Sequence, residues 1–239
     1  MKLSALCQRQ CKDTAKFRFF SNSEHKNIKK STKVTCWKCQ KCIVLNPSHT
    51  YSRRYFCPCE RRIILPYTKH TNYFEIYDSL PTFKIDVSKL KSTYLKLQYQ
   101  FHPDRFSTSS QREQDMAAEH SAVVSTSYKT ISNTYSRALY LLLLEGIDLE
   151  KTGNTSEIAP EFLMEMFETN EQLEDGLNDR DLIELKLKTH KQISKCYSDL
   201  IPAFCNRNFA KAKSIVAQLQ YYRNILNKIG DILDANTNL

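Results

Sequence analysis

Between residues 86 and 131 two mainly apolar stripes run along the chain in steps of three and four, with one short polar break between them. Val87, Leu90, Tyr94, Leu97 and Phe101 fall on one helical stripe that Asp86 is placed to cap. Lys89 and Lys96 lie on the opposite side. The stripe stops at His102-Pro103-Asp104, because a proline biases the residue before it away from the helical region. A second stripe follows at Met116, His120, Val123, Ser127 and Ile131. Two amphipathic helices joined by about ten residues form an antiparallel hairpin. Tyr73-Phe74 and Ile76-Tyr77 begin a short helix able to pack on it, and Tyr135 to Leu144 supplies another. Four glycines and seven prolines in 239 residues suit helices with short joints better than a turn-rich β protein. The expected fold class is all-α.

Glu145-Gly146 closes this piece, since glycine fits the position just past a helix end. Polar residues 151–157 then form a linker. Three further amphipathic stretches follow, at about 159–176, 181–205 and 208–233, and their short connections favour a three-helix bundle. The middle stretch places Ile183, Leu187, His190, Ser194, Tyr197, Ile201 and Phe204 on its expected core face, with His190 a tolerated stripe residue and not a ligand. The last carries Phe209, Ala212, Val216, Leu219, Leu226 and Ile229. In the first, Phe162, Met166 and Leu173 make one face, while Leu163, Met164 and Phe167 fall toward the other, flanked by Glu168 and Glu171. Tyr221 likewise leaves the stripe of the last helix. Surplus apolar groups off a core face point to a partner-binding patch. The competing reading buries that helix on two sides. The longest apolar run, Ala138 to Leu144, is too short to cross a bilayer.

Charge is unevenly spread. Residues 1–72 hold 16 of the 35 Lys and Arg but 3 of the 26 acids, which places the basic excess in the first third instead of on a folded face suited to nucleic acid. The opening residues, with Lys2, Arg9, Lys12, Lys16 and Arg18 against Asp13 and no continuous apolar core, read as a mitochondrial transit peptide. Of nine cysteines, Cys7 and Cys11 fall in that stretch, and Cys196 and Cys205 are expected as small core residues. The other five cluster between 36 and 59. Cys36-Trp37-Lys38-Cys39 is a C-x2-C pair, and Cys57-Pro58-Cys59 follows it after a short span, a spacing like that of a zinc ribbon. The second pair is one residue shorter than a usual knuckle, and Cys42 is a spare thiol able to stand in for Cys57 or Cys59. Cys36, Cys39 and Cys42 also raise an iron–sulfur site, which no further ferredoxin spacing supports.

The tripeptide His102-Pro103-Asp104 at the mouth of a hairpin, after a basic helix that includes Tyr94-Leu95-Lys96-Leu97, resembles the J-domain family. Within it the chain resembles the HscB-type co-chaperones of mitochondrial iron–sulfur cluster assembly. The run FLMEMFETNEQL over 162–173 is similar to the FLME segment of that family. Ser136-Arg137-Ala138, Tyr140-Leu141-Leu142 and Glu145-Gly146-Ile147 match as well, and Cys36, Trp37, Cys39, Phe56, Cys57 and Pro58 match the cysteine pattern of its animal members. The resemblance implies four pieces: a transit peptide or disordered stretch 1–33, a cysteine-rich metal-binding segment 34–68, a J-domain 72–147 and a C-terminal bundle 158–239.

It further implies that His102, Pro103, Asp104, Lys91, Lys96 and Arg105 bind a DnaK-class mitochondrial chaperone and switch on its ATPase, with Lys89 helping to steer the encounter. Leu163, Met164, Phe167, Glu168, Glu171 and Tyr221 would bind an IscU-type scaffold, although Phe167 stands where many members carry an aliphatic residue. Cys36, Cys39, Cys57 and Cys59 would hold a structural zinc. The chain would then be a co-chaperone and not itself an enzyme, placed in the mitochondrial matrix with an additional cytoplasmic pool and a homodimer both left open. The rival readings are a zinc-containing J-protein of the diphthamide pathway, which places its metal module after the J-domain, and a zinc-dependent nucleic-acid binder. No Gly-rich phosphate loop and no Ser/His/Asp set points to an enzyme.

Overall fold

A computed structural model describes residues 32–45, 49–59, 63–68, 72–149 and 158–237. The stretch read as a transit peptide, most of the joint after Thr68, and the linker 151–157 lie outside the described residues. Among the described residues the fold is all-α apart from one small antiparallel sheet of β1 (Thr32–Thr35) and β2 (Cys42–Leu45), in which Thr35 pairs with Cys42 and Thr32 with Leu45. Helices follow as α1 (Tyr51–Arg54), α2 (Tyr73–Ile76), α3 (Val87–Phe101), α4 (Gln111–Ser132), α5 (Thr134–Leu144), α6 (Pro160–Asp175), α7 (Asp179–Cys205) and α8 (Phe209–Thr237). The chain forms two compact units, one of residues 1–78 with 96–124, the other of 79–95 with 125–239.

In the first unit, β1, β2 and α1 carry too few apolar residues for a core of their own. They borrow one from the hairpin. Tyr51, Tyr55, Ile64, Leu65, Phe74, Ile76, Phe101 and Ala117 are all buried. His120, on α4, sits among these rings with none of its surface exposed, 4.7 Å from both Tyr55 and Phe101 by ring centroid. Its Nε2 lies 2.8 Å from the Leu65 carbonyl, an acceptor, so that nitrogen carries the proton. Nδ1 then accepts from the Tyr51 hydroxyl at 2.9 Å. A buried polar ring with both nitrogens satisfied costs little, whereas an imidazolium there would lose its hydration without a counter-charge. The Tyr77 hydroxyl donates to the Val124 carbonyl at 2.6 Å, tying α4 to the turn after α2.

In the second unit, Tyr94 stacks on Tyr128 with centroids 4.2 Å apart. Arg137, on α5, is buried but satisfied: Nε donates to the Phe83 carbonyl and Nη1 to that of Ile131. Arg223 of α8 lies 4.3 Å from the Tyr135 ring, joining α8 to α5. Helices α6, α7 and α8 bury Met166, Leu173, Leu182, Ile193, Leu200, Ala212, Val216, Leu219, Tyr222 and Ile229.

Two of the stripes are rephased by the structure. On α4, Val124 is buried and Val123 half-buried, with Met116, Ala117, His120, Ser127 and Ile131 completing the inner face. On α7 the inner face is Leu182, Thr189, Ile193, Cys196, Leu200 and Ala203, so the expected stripe is out of phase, and Ile183 and Leu187 are more than half exposed. Small residues are the cause. Thr189, Cys196 and Ala203 fill a tight seam that a hydrophobicity pattern skips, and Thr189 returns its hydroxyl to the Leu185 carbonyl within its own helix. His190 is exposed, and Cys205, expected inside, is exposed at the end of α7.

Burial lowers the His120 pKa to about 4 from its ordinary value near 6.5, against the smaller raising effect of the Leu65 carbonyl. Because the folded value is the depressed one, the unfolded chain takes up a proton first, and stability present above about pH 6.5 is lost as pH falls toward 4. Wild type should lose about 2 kcal/mol more than His120→Phe between roughly pH 7.5 and pH 5, read by denaturant titration. Parallel stability profiles for the two proteins would place the titrating group elsewhere.

Candidate functional site

The hairpin turn is built by local hydrogen bonding. Asp86 caps α3, its Oδ1 accepting from the Lys89 amide at 3.0 Å. The helix ends at buried Phe101, and Pro103 opens a single 3-10 turn, Pro103–Phe106, a position that needs no amide proton. The Arg105 amide bonds the His102 carbonyl at 3.0 Å, and the Ser107 amide bonds that of Asp104. Gln114, from α4, donates to the carbonyls of Ser107 and Ser109. Ser110 and Glu113 form a capping box, with the Glu113 carboxylate accepting from the Ser110 amide and hydroxyl. That Ser-x-x-Glu spacing is a helix-start signal legible in the sequence itself. The backbone of the turn is therefore tied down while its side chains point out.

Those side chains are presented to solvent. His102 and Asp104 are exposed, with imidazole Nδ1 3.4 Å from a carboxylate oxygen and 3.3 Å from the Asp104 amide, from which it accepts. Arg105 folds back over the exposed Tyr99 ring at 4.4 Å and bonds the Tyr99 carbonyl. Lys91 and Lys96 are exposed on α3. This arrangement, with exposed polar side chains on a hydrogen-bonded backbone, has the makings of a recognition surface.

The cysteines come together where β1 turns into β2 and where the chain leaves α1. Gln40, with φ of 57°, closes the first knuckle, and the Cys36 amide bonds the Lys41 carbonyl across it. The Cys57 amide bonds the Ile63 carbonyl, and Phe56 bridges Ile64, which fixes the second pair. The thiols of Cys36, Cys39, Cys57 and Cys59 all lie within 4.8 Å of one another, and Cys39 and Cys57 are 3.7 Å apart. Four thiolates around an ion at metal–sulfur bonds of about 2.3 Å would be about 3.8 Å from each other, so the donor set fits a tetrahedral metal. The shortened second pair reaches the cluster through Cys59, and Cys42 is exposed outside it. Burial raises the Cys36 thiol, but amides at Cys39 and Lys38 and the neighbouring thiols outweigh it and bring the pKa down to about 7. Burial pushes the Cys57 thiol up to about 12.

On α6, Met166 and Leu173 are buried, and Phe162 sets its edge against Tyr221 and Tyr222. Met164 and Phe167 are each 60% exposed, which decides against burial on two sides for these residues. Leu163 and Tyr221 are half-buried, and Glu168 and Glu171 are exposed beside them.

Comparisons with known proteins agree with this architecture. The family described as "HSCB C-terminal oligomerisation domain" matches residues 158–230. The chain is similar to the human iron–sulfur cluster co-chaperone protein HscB, 34% identical over 176 residues that cover 74% of each protein. It is 32% identical to a Neisseria meningitidis co-chaperone protein HscB homolog over 68% of this chain and 99% of that one. The crystal structure of human HscB superposes with a TM-score of 0.74 at 32% identity, covering 82% of this chain and 96% of that one. HscB from Vibrio cholerae gives 0.61 at 29% identity, over 69% of this chain and 99% of that one.

Elemental analysis of the full chain, purified without chelator, should find about one metal ion per chain. Cys36→Ser with Cys39→Ser should abolish it, and Cys42→Ser should leave it unchanged. Full retention in the double variant would remove the site.

Proposed function

The chain belongs to the HscB family of iron–sulfur cluster co-chaperones, and from that premise we propose that it brings an IscU-type scaffold protein to a DnaK-class chaperone and stimulates that chaperone's ATPase. The observation that carries the reading is the turn at 102–104, whose exposed histidine and aspartate stand on a backbone closed by its own hydrogen bonds. A pre-ordered loop binds without a further ordering cost, so its polar groups can be spent on recognition. Lys91, Lys96 and Arg105 add positive charge that speeds encounter with an acidic surface. His102 and Asp104 act as recognition groups, and hydrolysis belongs to the partner.

The scaffold would be held on α6 and α8. Leu163, Met164, Phe167 and Tyr221 supply an apolar centre, and Glu168 and Glu171 supply the charged rim that keeps such a patch soluble. Zinc is the proposed ion of the tetracysteine site, because four thiolates in a closed structural set suit it. When bound it would supply cross-linking of a small segment and no chemistry. The mitochondrial matrix is the proposed location, on the composition of the N-terminal stretch.

His102→Gln or Asp104→Asn should abolish stimulation of the chaperone ATPase while circular dichroism and melting stay as in wild type. Stimulation at the wild-type level would remove the reading. Leu163→Ala with Phe167→Ala should weaken scaffold binding at least about tenfold in calorimetric titration, since truncating two anchors costs about 1.4 kcal/mol or more. Unchanged affinity, or a large fall in melting temperature, would show that these residues are not the scaffold's anchors.

A further inference from the structure

Both cysteine pairs lie in the same compact unit as the His102-Pro103-Asp104 turn, and each pair has an aromatic neighbour that touches a residue flanking that turn. Phe56 precedes Cys57 and stacks on Phe101 with centroids 5.3 Å apart and planes inclined by 12°. Phe101 is the buried residue immediately before His102, and its ring also lies against His120. Trp37 follows Cys36, and the Arg112 guanidinium lies 5.3 Å from its ring centroid. Arg112 is the second residue of α4, just past the Ser110 cap that ends the turn. The turn thus lies between two contacts, each made by a residue bonded to a cysteine of the four-thiol cluster.

We propose that Phe56 and Trp37 are positioning residues for the turn, and that closing the four thiolates on one ion locks both braces together. Segment 32–68 is too short to order itself without a cross-link. With the thiolates apart, the knuckle bearing Trp37 and the strand bearing Phe56 are no longer joined to each other, and the two ends of the turn are braced independently. The first turn of α4 and the last of α3 then gain freedom, which the turn must give up again on docking. The proposal rests on the reading that this turn engages the ATPase.

The test uses the full chain as wild type, Phe56→Leu, Trp37→Ala and Cys36→Ser with Cys39→Ser, with Phe56→Tyr and His102→Gln as controls. Amide exchange at Arg105 and Ser107, whose N–H groups close the turn, should accelerate at least about tenfold in all three variants. Metal content should fall only in the cysteine variant. Phe56→Tyr, which keeps the stacked ring, should restore wild-type exchange. In ATPase assays the concentration giving half-maximal stimulation should rise about tenfold, with the maximal rate still reached at saturation. Scaffold affinity should not move. Wild-type exchange at Arg105 and Ser107 in Phe56→Leu and Trp37→Ala overturns the proposal, as does a lowered maximum with no shift in the half-maximal concentration. His102→Gln serves as the separate control. If it stimulates normally, the ATPase reading fails, while the exchange measurement still judges the bracing.

Discussion

A neutral imidazole surrounded by aromatic rings holds the first unit together. His120 comes from the hairpin, Tyr51 and Leu65 from the cysteine-bearing segment, and the ring bonds both at 2.9 and 2.8 Å. A segment from 32 to 68 with two short strands and one turn of helix cannot bury enough apolar area to fold alone, so its order depends on what it docks against. The dock is sequence-specific because a histidine with a fixed tautomer donates on one side and accepts on the other. A phenylalanine of similar size would fill the space and leave a hydroxyl and a carbonyl unpaired. The cost of an unmet buried hydrogen bond, about 1–3 kcal/mol for each group, is what makes this pairing selective.

In the second unit, the seam between helices is lined by Thr189, Cys196, Ala203, Ala212 and Ala217 as well as by large aliphatic side chains. Small residues let helix backbones approach, and the large side chains displaced from the seam must go elsewhere. Ile183 and Leu187 on α7, and Met164 and Phe167 on α6, are where they went. Charged neighbours keep this surface soluble. Glu165 pairs with Lys188 at 3.6 Å across the α6–α7 seam, and Lys228 meets Asn170 and Glu174 on the α6–α8 side. Exposed pairs of this kind contribute little to stability.

Much of this was readable in advance, and the exceptions share a cause. The hairpin, its Asp86 cap, the break at His102-Pro103-Asp104 and the off-core residues of α6 follow from periodicity and turn chemistry, which are local. The α7 stripe was misread because periodicity weighs residues by hydrophobicity, while a close helix–helix seam selects by size. Thr189 scored low on the first measure and is buried by the second, whereas Cys196 is buried as expected. Cys205 failed for the opposite reason, an apolar residue that is exposed at a helix end. The role of His120 was also invisible. Its burial depends on Tyr51 and Leu65, which are 69 and 55 residues away along the chain. Of the five clustered cysteines, spacing favoured Cys36, Cys39, Cys57 and Cys59 but left Cys42 able to replace either of the last two, and the fold brings the favoured four together.

A co-chaperone of this family has a thermodynamic problem that the division into two units helps to resolve. On the proposed reading it must hold a scaffold and a chaperone at once and then let both go. Tight binding to either would stall release, since most differences in affinity appear as differences in the rate of dissociation. Two modest sites on one chain avoid this. Once the scaffold is held, its encounter with the chaperone becomes intramolecular, at effective concentrations of roughly millimolar for short connections. The features of both sites suit modest affinity. The turn offers a solvated histidine, aspartate and arginine, whose water must be given up on docking, and that cost keeps affinity modest. The α6 patch has two well-exposed anchors and a rim of carboxylates, enough for a small hot spot and too little for a permanent interface. Order in the turn then matters more than contact area, because a weak site retains useful affinity only if its groups are in place before the partner arrives.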